Sequence, residues 1–255
     1  MWRQCICTVL ILPIEGGGYW LAANRDELRK RSKALEPRRY RWGTREVLAP
    51  LDPDGGGTWL AVNEDGLAVT LLNRYGRSAE GGREETRKWS SRGEIVRLAS
   101  EARDLEEMEA LIRGILGPGG KQYRGFTLLG SFEKDRRLEV LEVTWDGERV
   151  EVGQREIPCA ESSSSVESAL AESTRLEVIG KALRQGPMDR EKLEALFRSH
   201  LPERGVGSIC MHREDGKTVS FSLVEVKEEG IELWYRDGSP CEPGEAMGLK
   251  MRCRK

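Results

Sequence analysis

Cys7 heads an apolar run, Cys7-Thr8-Val9-Leu10-Ile11-Leu12, and Asp26 follows nineteen residues later inside Asn24-Arg25-Asp26-Glu27. A cysteine on a strand with a fixed polar cluster one hairpin away suits nucleophilic acyl chemistry. The thiol attacks a carbonyl, and a freed α-amine on the same residue takes the proton. An α-amine ionises near roughly 7.7–8.0, close to working pH, so it can act as that base. Asp26 is the carboxylate to pair with the Cys7 amine or thiol, fixing orientation and proton position. Cys5 stands two residues earlier, on the same strand face, and is the competing nucleophile.

Other chemistries find less support. Cys5-x-Cys7 lacks the second ligand pair of a zinc site. His200 and His212 are the only histidines, and Cys210-x-His212 reads as a structural strand-end pair. Neither Gly16-Gly17-Gly18 nor Gly55-Gly56-Gly57 is followed by the Lys-Ser/Thr of a phosphate loop. No metal and no cofactor are expected.

The elements that must position Cys7 follow from pattern. Residues 5–12 and 19–23 read as strands around Glu15-Gly16-Gly17-Gly18, and 58–63 and 66–72 as strands around Glu64-Asp65. Short turns force antiparallel neighbours, so these four strands are expected in one sheet. Residues 24–56, with three prolines, read as a long surface excursion. Ser91-Arg92-Gly93-Glu94 has the lettering of a capping box, and Asp104 and Asp189 of helix caps. Helical periodicity covers 166–185 and 189–199. Strands are expected at 124–132, 137–144, 148–156, 206–212, 217–226 and 230–236, before a Pro/Gly-rich tail. Strands and paired helices in this order exclude strict βαβ alternation and point to an α+β fold.

The 255 residues suffice for one large domain, and neither an internal repeat nor a linker divides them. Apolar content of 38% beside 33% charge reads as soluble and globular. The formal charge of −2 lacks the basic footprint of a nucleic-acid binder. Six scattered cysteines give no disulfide framework. The short apolar run after Arg3 has no small-residue cleavage site, so it is not read as a signal peptide, and no segment reaches membrane-spanning length. A cytoplasmic protein is expected.

Ala22-Ala23-Asn24-Arg25-Asp26-Glu27 resembles the signature of the NRDE, or transport-and-Golgi-organisation, family. Gly56-Gly57-Thr58-Trp59-Leu60-Ala61-Val62-Asn63-Glu64-Asp65-Gly66, running on to Leu71-Leu72-Asn73-Arg74, matches a second block in the right order. That family is distantly similar to the choloylglycine hydrolases and penicillin V acylases, which are N-terminal-nucleophile enzymes. The resemblance implies a four-layer αββα sandwich as a single domain over 1–255. It implies Cys7, Asp26 and Asn73 as a converging catalytic trio, with Asn73 helping to bind the oxyanion. It places Asn24, Arg25, Arg175 and Ser164 at the substrate. The acylases carry their arginine one residue earlier, where this chain has Ala23, and an Asn where it has Ser162-Ser163-Ser164-Ser165.

Two functions from different classes follow. One is hydrolysis or transfer at a non-peptide C–N or acyl bond of a small-molecule substrate, through a Cys7 thioester. Trp2 blocks simple methionine trimming, so this chemistry requires loss of Met1 through Ile6. The other is a carrier that keeps the fold and holds a hydrophobic ligand such as haem or lipid.

Overall fold

The computed structural model describes residues 7–74, 89–117, 120–164 and 168–254. The strands of the first half are β1 (Cys7–Pro13), β2 (Tyr19–Leu28), β3 (Leu35–Trp42), β4 (Arg45–Leu51), β5 (Leu60–Asn63) and β6 (Ala68–Asn73). Helices α1 (Gly93–Ala99) and α2 (Leu105–Ile115) follow, then β7 (Phe126–Lys134), β8 (Arg137–Trp145), β9 (Val150–Gln154) and β10 (Cys159–Ser163). The remainder is α3 (Ser168–Leu183), α4 (Arg190–Phe197), β11 (Gly216–Lys227), β12 (Gly230–Asp237) and β13 (Ala246–Met251).

The chain divides into two compact units. One is Met1–Ser32 with Pro158–Lys250, and the other Lys33–Ile157 with Met251–Lys255. The first carries a six-stranded sheet ordered β10-β1-β2-β11-β12-β13. One face is apolar: Leu10, Ala22, Phe221 and Leu223 pack against Ile179 of α3 and Leu193 and Phe197 of α4. The second carries a seven-stranded sheet ordered β3 through β9. There Val47, Ala61, Val69, Leu128 and Val143 bury against Ile95, Val96, Met108 and Ile112 of α1 and α2. A Cβ on Gly57 would lie 2.4 Å from the backbone of Gly93, so only glycine lets the chain before β5 pass under the start of α1.

Several expectations need correction. Both expected hairpins form, but β1–β2 and β5–β6 lie in different sheets. The stretch 24–56 is largely strand: β2 runs on to Leu28, and β3 and β4 make a hairpin turned at Gly43, φ 56°. Val47, Leu48 and Ala49 are all buried, so β4 is covered on both faces, and Pro37 is tolerated because β3 is a sheet edge. The serines before α3 are strand in part, as β10 on the edge beside β1. Residues 206–212 form no strand beyond a single bridge from His212 to Lys217. The chain end contributes β13 rather than a tail.

Asp104 and Asp189 cap α2 and α4 as expected, accepting from Glu107 N and Lys192 N at 2.9 and 2.8 Å. The Ser91 capping box does not form. No side chain caps α1, and Glu94 instead takes Lys121 and Tyr123.

A short internal repeat is also present. Trp20-Leu21-Ala22-Ala23-Asn24-Arg25-Asp26 and Trp59-Leu60-Ala61-Val62-Asn63-Glu64-Asp65 share Trp, Leu, Ala, Asn and Asp at the same offsets.

Candidate active site

Cys7 opens β1 between two partners, Arg25 on β2 and Ser163 on β10. Arg25 in turn faces Ser220 on β11. Residues paired across an antiparallel ladder share a face. Ser163, Cys7, Arg25 and Ser220 therefore form one row across four strands, on the face turned away from α3 and α4. One row along, Ala23 faces Ser222, and Ser222 faces Tyr235. Ser163 Oγ, Ser220 Oγ and Ser222 Oγ are buried, and none has a hydrogen-bond partner among the described residues. Buried hydroxyls are ordinarily satisfied, so three such orphans on one face set this row apart.

Burial pushes the Cys7 thiol up to about 12, and the charge of Asp26 adds to the rise. The backbone N–H of Asp26 and the guanidinium of Arg25 pull the other way. As an internal residue, Cys7 is thus a neutral thiol at neutral pH. Arg25 is itself buried and pairs with Glu27 Oε2 at 3.3 Å, where Arg31 Nε also lies 3.3 Å away.

Asp26 turns to the opposite, helix-covered face. Its Oδ2 pairs with Arg175 Nη1 at 3.2 Å, and both side chains are fully buried. Its Oδ1 accepts from Thr218 Oγ1 at 2.5 Å, and Thr218 is its register partner on β11. Burial raises the Asp26 carboxyl to about 6, while Arg175 and Thr218 hold it down. Arg175 Nη1 also donates to Thr8 Oγ1 at 3.1 Å, and Nη2 to the Val206 carbonyl at 2.7 Å. Thr8 Oγ1 lies 3.4 Å from Ser162 Oγ, which donates back to the Cys7 carbonyl at 3.3 Å. A continuous polar chain thus links Asp26, Arg175, Thr8 and Ser162 to the backbone of Cys7.

The structure therefore brings Cys7, Arg25, Asp26 and Arg175 into one neighbourhood of the six-stranded sheet. Asn24 is fully buried, and its amide donates to the carbonyls of Phe197 and Ile209, each at 2.9 Å. Those bonds tie the end of α4 and the 205–212 segment to the sheet, leaving no amide proton for a substrate. Ser164 is buried, and its backbone N–H donates to Glu172 Oε1 at 2.9 Å. Asn73 ends β6 in the other unit, opposite Phe126, and is half-buried. Cys5 and Ser165 lie outside the described residues.

Reasoning from sequence assigned no role to Thr8, Thr218, Ser220 and Ser222. The signal for the last three was present in Lys217-Thr218-Val219-Ser220-Phe221-Ser222, where small hydroxyls recur along a strand meant to be buried. The spacing along the chain also gives no sign that His200, Cys210, His212 and Cys241 come together.

Among solved structures, the chain is similar to a cysteine-to-alanine mutant of conjugated bile acid hydrolase from Clostridium perfringens. The TM-score is 0.52 at 12% identity, over 96% of this chain and 92% of that one. It is also similar to the Caenorhabditis elegans ortholog of N-acylethanolamine-hydrolyzing acid amidase, with TM-score 0.55 at 10% identity, over 93% and 94%. These likenesses show an α+β fold of the N-terminal-nucleophile hydrolase type. No curated protein matches the sequence. The family described as Transport and Golgi organisation 2 matches over residues 5–167, more than half of the chain, and the protein belongs to that family.

Proposed function

We propose that the protein is an N-terminal cysteine amidohydrolase or acyltransferase for a small-molecule substrate with a non-peptide C–N or acyl bond. The observation that carries this reading is Cys7 at the head of β1, set between a fully buried Asp26–Arg175 pair and a row of unpartnered buried hydroxyls. The similar bile acid hydrolase and acylethanolamine amidase are, by their names, hydrolases of conjugated or N-acyl small molecules.

In this scheme loss of Met1 through Ile6 frees the Cys7 amine. A terminal amine can turn toward either face of the sheet, and Asp26 orients it. The Cys7 sulfur bonds to the carbonyl carbon while its proton passes to the amine. The resulting ammonium protonates the leaving nitrogen as the C–N bond breaks, leaving a thioester. Water, deprotonated by the same amine, then releases the acid, or an acceptor nucleophile takes the acyl group. Asn73 serves the oxyanion. Arg25 and Ser164 bind substrate, Arg175 positions Asp26, and Asn24 holds the local frame.

The test is thioester trapping. The purified protein is mixed with fluorescent N-acyl amides of varied chain length, quenched in acid and digested. The scheme predicts an acyl adduct on the Cys7 peptide, and Cys7→Ala abolishes both adduct and turnover. An adduct on another cysteine, or turnover surviving Cys7→Ala, refutes it.

One observation favours a second reading. With a thiol raised to about 12, an internal Cys7 is inert. A chain that keeps this state is a carrier of a hydrophobic ligand such as haem or lipid, and would show saturable binding without turnover.

A further inference from the structure

Four side chains outside the Cys7 row converge on one point. His200 follows α4, Cys210 and His212 precede β11, and Cys241 lies in the turn after β12. Their ligand atoms all fall within 4.8 Å of one another. His212 Nε2 lies 3.6 Å from Cys210 Sγ and 3.3 Å from Cys241 Sγ. The rings of His200 and His212 meet edge to face at 5.1 Å. Among the described residues His200 Nε2 is a buried atom with no hydrogen-bond partner, and both cysteines are free thiols.

We propose that His200, Cys210, His212 and Cys241 form a tetrahedral Zn2+ site. Two thiolates and two imidazoles are a standard set for structural zinc. Zn–S of about 2.3 Å and Zn–N of about 2.0–2.1 Å place neighbouring ligand atoms roughly 3.3–3.8 Å apart. The two spacings from His212 already fall in that range. A set that is all thiolate and imidazole, with no carboxylate, selects zinc over calcium, magnesium or manganese. With four protein ligands, no coordination position remains for a substrate, so the role is structural.

The backbone is organised to hold such a site. Cys210 N–H donates to the Ser199 carbonyl at 3.0 Å, and Ser208 Oγ donates to the Cys210 carbonyl at 2.7 Å. Lys217, bridged to His212, reaches Glu242 at 3.0 Å beside Cys241. One feature opposes the metal: Arg204 Nη2 lies 3.2 Å from His212 Nδ1, which must carry a proton once Nε2 binds zinc. Arg204 is exposed, so its guanidinium swings away at little cost.

The site would act on Asp26 through the chain between its ligands. Met211 stands between Cys210 and His212. It donates to Thr218 Oγ1 at 2.8 Å and accepts from Thr218 N–H at 2.9 Å. Thr218 holds Asp26. Zinc therefore fixes the strand segment that positions the Asp26 carboxylate. Binding replaces the two thiol protons, which leave to solvent. The proposal does not depend on the activity of Cys7.

The experiment uses the full chain, purified under reducing conditions and stripped with chelator. Titration with Co2+ is expected to give thiolate-to-cobalt charge-transfer and tetrahedral d–d absorption, saturating at about one equivalent. Zn2+ should displace it. Cys210→Ser, Cys241→Ser, His200→Gln and His212→Gln should each lose those bands. Cys159→Ser, Cys253→Ser and Arg204→Gln should keep them, and His200→Cys should restore a four-ligand set. Should the ligand variants fail to fold, the wild-type melting temperature decides: Zn2+ raises it and chelator returns it. Reduced wild-type protein that takes up no Co2+ and shows no zinc-dependent melting overturns the proposal. So does a Cys210–Cys241 disulfide in the protein isolated without reductant, or absorption that persists with all four residues replaced.

Discussion

The two copies of Trp-Leu-Ala-x-Asn-x-Asp end in different chemistry. In each, the asparagine amide clamps two backbone carbonyls. Asn24 takes Phe197, at the close of α4, and Ile209 in the segment before β11, while Asn63 takes Ser100 and Ala102, just past α1. Beyond that they diverge. Asn63 Oδ1 also accepts from Asp65 N and Leu67 N, because β5 ends there and Gly66, φ 84°, turns the chain back. In the second copy every polar atom of the Asn63 amide is used. The first copy has no turn: β2 runs on to Leu28, and Asn24 Oδ1 is buried without a partner. Asp65 then sits near the surface, paired to Arg45 at 3.0 Å, whereas Asp26 is entombed against Arg175. The same seven-residue pattern makes a turn in one sheet and a buried polar centre in the other. Whether the strand continues past the Asn decides which.

The ion pairs break the comparison most severely. Arg175→Met leaves the Asp26 carboxylate buried without its counter-charge and should cost about 3–5 kcal/mol at pH 7. Arg45→Met, at a partly solvated pair, should cost less than about 2 kcal/mol. Urea unfolding of the two variants measures both, and equal losses would erase the distinction.

The asparagines come next, with the order reversed. Asn63→Ala unsatisfies two carbonyls and two N–H groups, and should cost about 3 kcal/mol. Asn24→Ala unsatisfies two carbonyls and removes one orphan oxygen, and should cost about 2 kcal/mol. A larger loss at Asn24 would show that its free oxygen does have a partner.

The smallest effect is in pH. Folded Asp26 keeps its proton up to about 6, while an unfolded aspartate releases it near 4. Between those values the folded chain binds more protons, so this group's contribution to stability falls as pH rises from about 4 to 6. Asp26→Asn/Arg175→Met removes both charges. Its urea midpoint, compared with wild type at pH 4 and pH 7, should lack that fall. Parallel pH curves would place the Asp26 titration elsewhere.

Much of this was legible in the sequence, and what was hidden has physical reasons. The Cys7 strand, its hairpin to Asn24-Arg25-Asp26-Glu27, and the caps at Asp104 and Asp189 depend on local periodicity and turn chemistry. The placing of β1–β2 and β5–β6 in separate sheets depends on strands more than 140 residues away along the chain, such as β10 and β11, and local pattern is blind to that. Arg175 reads as any helical arginine until Asp26 is seen beneath it. The His200, Cys210, His212 and Cys241 cluster has no spacing signature, because an α-helix end, an irregular segment and a turn each supply part of it.

The central claim is that Cys7 becomes an N-terminal nucleophile, and intact mass of the purified protein before and after brief iodoacetamide treatment tests it directly. The account predicts a chain beginning at Cys7, alkylated first on that residue, because a free amine beside Asp26 converts an inert thiol into a reactive ion pair. A chain that retains Met1 through Ile6, with Cys7 unmodified while Cys241 and Cys253 react, would contradict it.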